Sequence, residues 1–180
     1  MLSLLPDFAD PVRLCALGKA YEGLIPLADL PRLAPLLTST EGEAAFVLEF
    51  DRDAARRPTV RVKVKATLAL QCQRCLDTMT LPVNGESRLV VVEGSAEAER
   101  LPEDVDPLLV EDEKLVLRSL IEDELILAIP PAPMHSSDAC AKKLQQINAA
   151  GGGIGTGDVV SKQHPFASLA SWRGDDDKRD

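Results

Sequence analysis

From Thr59 to Leu70 the chain alternates without a break. Val60, Val62, Val64, Ala66, Leu68 and Leu70 fall on one side; Arg61, Lys63, Lys65 and Thr67 fall on the other. A period of two belongs to a half-buried strand. This run commits the chain to a sheet with one apolar face, and it leads directly into Cys72-Gln73-Arg74-Cys75.

The neighbouring segments supply partners. Ala44 to Asp51 places Phe46, Leu48 and Phe50 on one side. The polar link Arg52 to Pro58 then predicts an antiparallel hairpin. Leu76 to Val83 and Arg88 to Glu93 read as two more strands, with a tight turn at Asn84-Gly85 between them. Tyr21 to Leu27 is extended, and Pro26 keeps it near an edge. Three segments read as helical. Residues 10–18 have Asp10 as a cap and Pro11 in the first turn. Residues 28–37 carry Leu30, Leu33, Leu36 and Leu37, with Asp29 as a cap. Leu117, Leu120, Ile121, Leu125 and Ala128 form a third stripe, with Asp112 or Ser119 near its start. Pro130, Pro131 and Pro133 end that helix and lead in extended form toward His135.

The acidic stretch Gly94 to Pro107 has no periodicity and reads as a mobile loop. Ala149 to Gly157 is a glycine-rich linker, without the spacing or the Gly-Lys-Ser/Thr of a nucleotide loop. His164 to Trp172 makes a short amphipathic turn of helix that Pro165 starts. The expected organisation is an α+β domain over 1–145, a flexible Gly-rich linker over 146–163, and a short C-terminal helix with a polar tail over 164–180. The domain is expected as an antiparallel sheet or partial barrel with packed helices.

Aromatic residues make up only 3% of the chain against a hydrophobic share of 45%. The core is therefore built from Leu, Val, Ile and Ala, and no aromatic platform for stacking single-stranded bases is expected. No secretory signal is expected from Met1-Leu-Ser-Leu-Leu-Pro, and the most apolar stretch, Leu125 to Pro133, is too short to span a membrane. A cytoplasmic protein is expected, where thiols stay reduced and paired cysteines point to metal or redox work.

Three of the four cysteines and one of the two histidines sit in two clusters, Cys72 with Cys75 and His135 with Cys140. Three thiolates and one imidazole make a tetrahedral zinc set, here a structural knuckle. The clusters are too far apart for a compact finger. A thiol redox pair and scattered buried residues remain as alternatives. A redox Cys-x-x-Cys usually opens a helix, whereas this one lies between strands. A catalytic zinc needs an open position, which four protein ligands would fill. Cys15 reads as a small buried apolar residue, and Glu122-Asp123-Glu124 as solvated or capping. No Ser-His-Asp arrangement stands out.

The net charge of −9 would repel nucleic acid overall. Acids crowd residues 93–113, however, and bases crowd residues 52–65. Arg56, Arg57, Arg61, Lys63 and Lys65 form a local patch that is either a solvated sheet surface or a docking face for a phosphate backbone.

Four ordered stretches carry a resemblance. They are Leu70-Gln-Cys72-Gln-Arg-Cys75, Ile121-Glu-Asp-Glu-Leu-Ile-Leu-Ala-Ile-Pro130, Pro133-Met-His135 with Cys140, and His164-Pro-Phe166-Ala-Ser-Leu-Ala170. Together they resemble the YceD-like large ribosomal RNA subunit accumulation proteins of bacteria and plastids, over roughly residues 10–172. The glycine run 151–157 and Gln163-His164-Pro165 depart from that pattern. The resemblance implies a non-enzymatic cytoplasmic factor for synthesis, processing or stability of 23S ribosomal RNA and for large-subunit assembly. Its partners would be ribosomal RNA or assembly intermediates, with no membrane and no small-molecule substrate. It also favours zinc on Cys72, Cys75, His135 and Cys140. The alternative is a zinc-stabilised adaptor that binds a basic ribosomal protein through the acidic loop; a thiol oxidoreductase ranks third.

Overall fold

A computed structural model describes residues 5–110 and 114–135, together with Cys140 and Gln145. The chain divides into two compact units, Met1–Ala141 and Lys142–Asp180. All the elements below belong to the first. The expected linker 146–163 and C-terminal helix 164–180 lie outside the described residues.

The chain opens with a short strand β1 (Phe8–Ala9) and a helix α1 (Pro11–Ala16). Asp10 caps α1 by accepting the Arg13 N–H at 3.0 Å, and Pro11 fills its first turn. Strand β2 (Ala20–Pro26) follows. Next come two single-turn 3-10 segments, Leu27–Asp29 and Ala34–Leu36. Then come β3 (Glu43–Arg52), β4 (Pro58–Gln71), β5 (Thr78–Val92), a one-turn helix α2 (Ser95–Ala98), β6 (Asp106–Leu109), β7 (Leu115–Val116) and helix α3 (Leu117–Leu127). A five-stranded sheet runs in the linear order β2-β3-β4-β5-β6, and β1 pairs with β7 in a separate two-stranded sheet. The first four strands of the large sheet pair antiparallel; β6 joins β5 in parallel. The fold is therefore α+β, with a mixed sheet.

The alternation in β4 appears as expected. Val60, Val62, Val64, Ala66, Leu68 and Leu70 are all buried, and Arg61, Lys65 and Thr67 are exposed. Phe46, Leu48 and Phe50 of β3 extend the same buried face. Helix α1 packs on β3 and β4, and α3 packs on β4 and β5. Leu117, Leu120, Ile121 and Leu125 supply the α3 side of the core. Tyr21 and Phe50 meet edge to face, with ring centroids 6.2 Å apart.

Four local expectations are corrected. Residues 28–37 do not form one helix, because Pro31 and Pro35 each remove an N–H and crowd the preceding turn. Leu27, Leu30 and Leu33 are nevertheless fully buried, at the three-residue spacing of a 3-10 turn. Asn84-Gly85 is no turn: β5 runs straight through it, with Asn84 opposite Lys65 and Gly85 opposite Val64. Gly85 serves close packing instead. A Cβ there would lie 2.5 Å from Glu124 Oε1 and 2.8 Å from its Cγ. The stretch 94–107 is not a featureless loop, since α2 and the start of β6 lie within it. Finally, Glu122 and Glu124 are buried rather than solvated. Glu122 Oε1 accepts the Arg32 N–H at 2.8 Å and so ties α3 to the turn between the two 3-10 segments. Helix α3 itself starts at Val116 with no side-chain cap.

Candidate metal centre

The first pair of ligands is shaped by the end of the β4–β5 hairpin. The Cys72 N–H donates to Asp77 O at 2.8 Å, and the Leu76 N–H donates to Cys72 O at 2.9 Å. This closes the turn over Cys72–Asp77. Leu76 takes a left-handed backbone, with φ of 60°, to let the chain reverse. The Gln71 side-chain amide donates to Leu76 O and braces the turn. Both sulfurs point inward: Cys72 is fully buried and Cys75 nearly so.

The second pair arrives from α3. After the helix ends, the proline-rich segment turns at Ala128 and bends at Ile129 and again over Pro131 and Ala132 rather than running extended, and the Gln73 N–H donates to Pro133 O at 2.8 Å. That bond clamps the segment onto the knuckle. The Arg74 guanidinium lies against the Met134 thioether, with Nη2 3.7 Å from Sδ. His135 and the buried Cys140 complete the cluster.

The donor atoms of Cys72, Cys75, His135 and Cys140 lie within 4.8 Å of one another. Cys72 Sγ is 3.4 Å from Cys140 Sγ, Cys75 Sγ is 3.5 Å from His135 Nδ1, and Cys140 Sγ is 3.6 Å from the same nitrogen. All four cysteines are free thiols. A tetrahedral zinc with Zn–S bonds of about 2.3 Å requires S···S edges of about 3.8 Å and S···N edges of about 3.5 Å. The two S···N separations fall on that set and the S···S separation is slightly shorter, so three sulfurs and one imidazole are gathered at the scale of a single metal ion.

The electrostatics favour a thiolate at Cys72. Burial raises its thiol pKa, but N–H groups of Cys75, His135 and Arg74, with the Cys140 thiol, outweigh burial and bring it down to about 5. Cys140 goes the other way. Burial and then the neighbouring sulfurs of Cys75 and Cys72 push it up to about 12. Cys15 stands apart, buried and donating to Thr59 O at 3.3 Å, with its thiol raised by burial.

The five basic candidates are spread along the outer face and tip of the β3–β4 hairpin, away from the cluster in sequence register. Carboxylates interleave with them. Arg61 lies 3.9 Å from Glu49 and 3.7 Å from Glu86; Lys63 lies 3.9 Å and 4.0 Å from the same two. Arg57 pairs with Asp53 at 2.6 Å. Among the described residues, Arg56 and Lys65 make no ion pair. Arg88, directly opposite Arg61, extends the row and is also without an ion pair among those residues. It was missed in the sequence because only strand pairing shows that it shares that face.

The family model described as "Large ribosomal RNA subunit accumulation protein YceD" matches residues 60–171. A protein of that name from Haemophilus influenzae is 31% identical over 170 residues, spanning 94% of this chain and 96% of the relative. No solved structure matches the chain.

Proposed function

The chain belongs to the family of YceD large ribosomal RNA subunit accumulation proteins, and from that premise we propose that it is a non-enzymatic cytoplasmic factor in the synthesis, processing or stability of 23S ribosomal RNA. The observation that carries this reading is the match over nearly the whole of both chains. The metal centre supports the non-enzymatic part. Its four protein donors would fill a tetrahedral shell and leave no position for a substrate or an activated water. A bound zinc would be structural, with Cys72, Cys75, His135 and Cys140 holding the end of the β4–β5 hairpin against the segment after α3.

No helix among the described residues is long and apolar enough to cross a membrane. The partner class is ribosomal RNA or a large-subunit assembly intermediate. On the outer sheet face, Lys65, Arg56 and Arg88 offer charge to phosphates that nearby carboxylates do not already neutralise.

Deleting the gene and measuring the ratio of large- to small-subunit RNA tests the function. The ratio falls if the reading is right, and wild-type protein supplied in trans restores it. An unchanged ratio overturns it.

A further inference from the structure

We infer that the groove beside the metal centre seats an unpaired nucleobase of single-stranded RNA, the strand reaching it along the outer face of β4 and β5. This rests on the ribosomal RNA reading above and gives it a contact site.

The groove has a volume of about 440 Å³ and is lined by Thr78, Met79, Thr80, Leu81, Pro82, Met134 and His135. Its described lining holds no carboxylate, lysine or arginine. The other two cavities mix both signs, Glu49 and Asp51 with Lys19, Arg61 and Arg88 in one, and Asp53 and Asp104 with Arg57 and Arg88 in the other. An uncharged groove suits a base rather than a phosphate.

Among the described residues, this part of the β5 edge has no partner strand. The Thr38 N–H donates to Ala69 O, so Ala69 turns its backbone groups away from β5. Thr80, paired with Ala69, therefore turns its own away from β4. Strand β6 covers only Leu89–Val92 of β5. Among the described residues, no strand pairs with the outer edge of Thr80 or of Thr78 two residues before it, so their backbone and hydroxyl groups face the groove side. The same stretch carries Pro82, which has no N–H to leave unpaired.

The remaining walls suit a flat heterocycle. Met134 and Pro82 present apolar surface, and the exposed Arg74 guanidinium lies at the Met134 sulfur. Guanidinium planes stack on bases as aromatic rings do, so a chain poor in aromatics retains a means of holding one. His135 turns Nδ1 to Cys75 and Cys140. The same residue lines the groove, and Nε2 is its second hydrogen-bonding group. Ligation through Nδ1 would fix that nitrogen as a donor, which couples the seat to the metal.

The approach is continuous. Along the outer face of the β4–β5 pair the rows read Lys63/Glu86, Lys65/Asn84, Thr67/Pro82 and Ala69/Thr80. Lys65 stands four residues from the Thr80 row, about 14 Å along the strand. A few nucleotides of extended RNA span that distance, with phosphates at Lys65 and a base at Thr80.

The test is fluorescence anisotropy of the full-length, zinc-loaded protein with a labelled mixed-sequence single-stranded oligoribonucleotide, repeated with its duplex. Wild type should prefer the single strand. Thr80→Glu, at an exposed edge position, should weaken it at least tenfold with Tm unchanged, and Thr80→Ser should bind as wild type does. Lys65→Glu should weaken binding and lower the salt slope by about one. If the wild type binds and Thr80→Glu binds equally well, the groove is not the seat, while the ribosomal RNA reading survives. If the wild type binds neither RNA, direct contact is wrong, and the subunit RNA ratio alone decides the broader function.

Discussion

Cys72 and Cys140 sit 3.4 Å apart, yet their surroundings push them in opposite directions, to about 5 and about 12. At pH 7 the metal-free protein therefore carries a thiolate at Cys72 and a thiol at Cys140. Zinc must displace the Cys140 proton. Titration calorimetry in two buffers of different ionisation enthalpy should show at least one proton released per zinc bound; no release would contradict this assignment. The sign also fixes the pH trend. Zinc binding already weakens with falling pH through the Cys140 proton, and the trend steepens as pH falls through about 5, where Cys72 takes up a proton as well. Gly85 is the other decisive single residue. Gly85→Ala would drive a Cβ into the Glu124 side chain and should destabilise the protein by about 1–3 kcal/mol. Glu124→Ala in the same chain should recover part of that loss. Additive losses in denaturant titration would show that the two side chains do not compete for one space.

At the level of elements, α3 depends on a polar link that hydropathy does not reveal. Glu122 is buried and accepts the Arg32 N–H. Glu122→Ala leaves that amide without its acceptor and should cost about 1–3 kcal/mol, whereas Glu122→Gln keeps an acceptor oxygen and should lose less. Asp123→Ala removes only an exposed pair with Arg32 and should change stability by less than about 1 kcal/mol. Equal losses for the three variants would contradict the placement. The same helix shows where sequence reading stops. Its apolar stripe was legible because Leu117, Leu120, Ile121 and Leu125 follow the helical period. The buried acids were not, because their partners are a backbone N–H and a glycine far away in the chain. Strand β4 was legible for its alternation. Strand β5 was divided at Asn84-Gly85 because the local turn preference hid a packing requirement set by α3. The start of strand β6 reads as loop because its pairing with β5 is parallel and non-local, and its four residues, Asp106–Leu109, are too few to show a period.

Across the whole molecule, the Cys72–Cys75 and His135–Cys140 clusters were legible as ligand types, and their convergence required the fold. The hairpin delivers one pair, α3 and its proline-rich exit deliver the other, and the bond from Gln73 N–H to Pro133 O holds the two segments in place. The basic patch was legible as charge but not as an interface, since Glu49 and Glu86 come from neighbouring strands to answer Arg61 and Lys63. The shape of the knuckle and the proposed base seat both rely on the four donors sharing one ion. Metal analysis of protein purified without chelator, with thiol counting on the native chain, tests this most directly. The expected result is about one zinc per chain, with Cys72, Cys75 and Cys140 protected until a chelator is added. Less than about a tenth of an equivalent of metal, with those three thiols freely reactive, would contradict it.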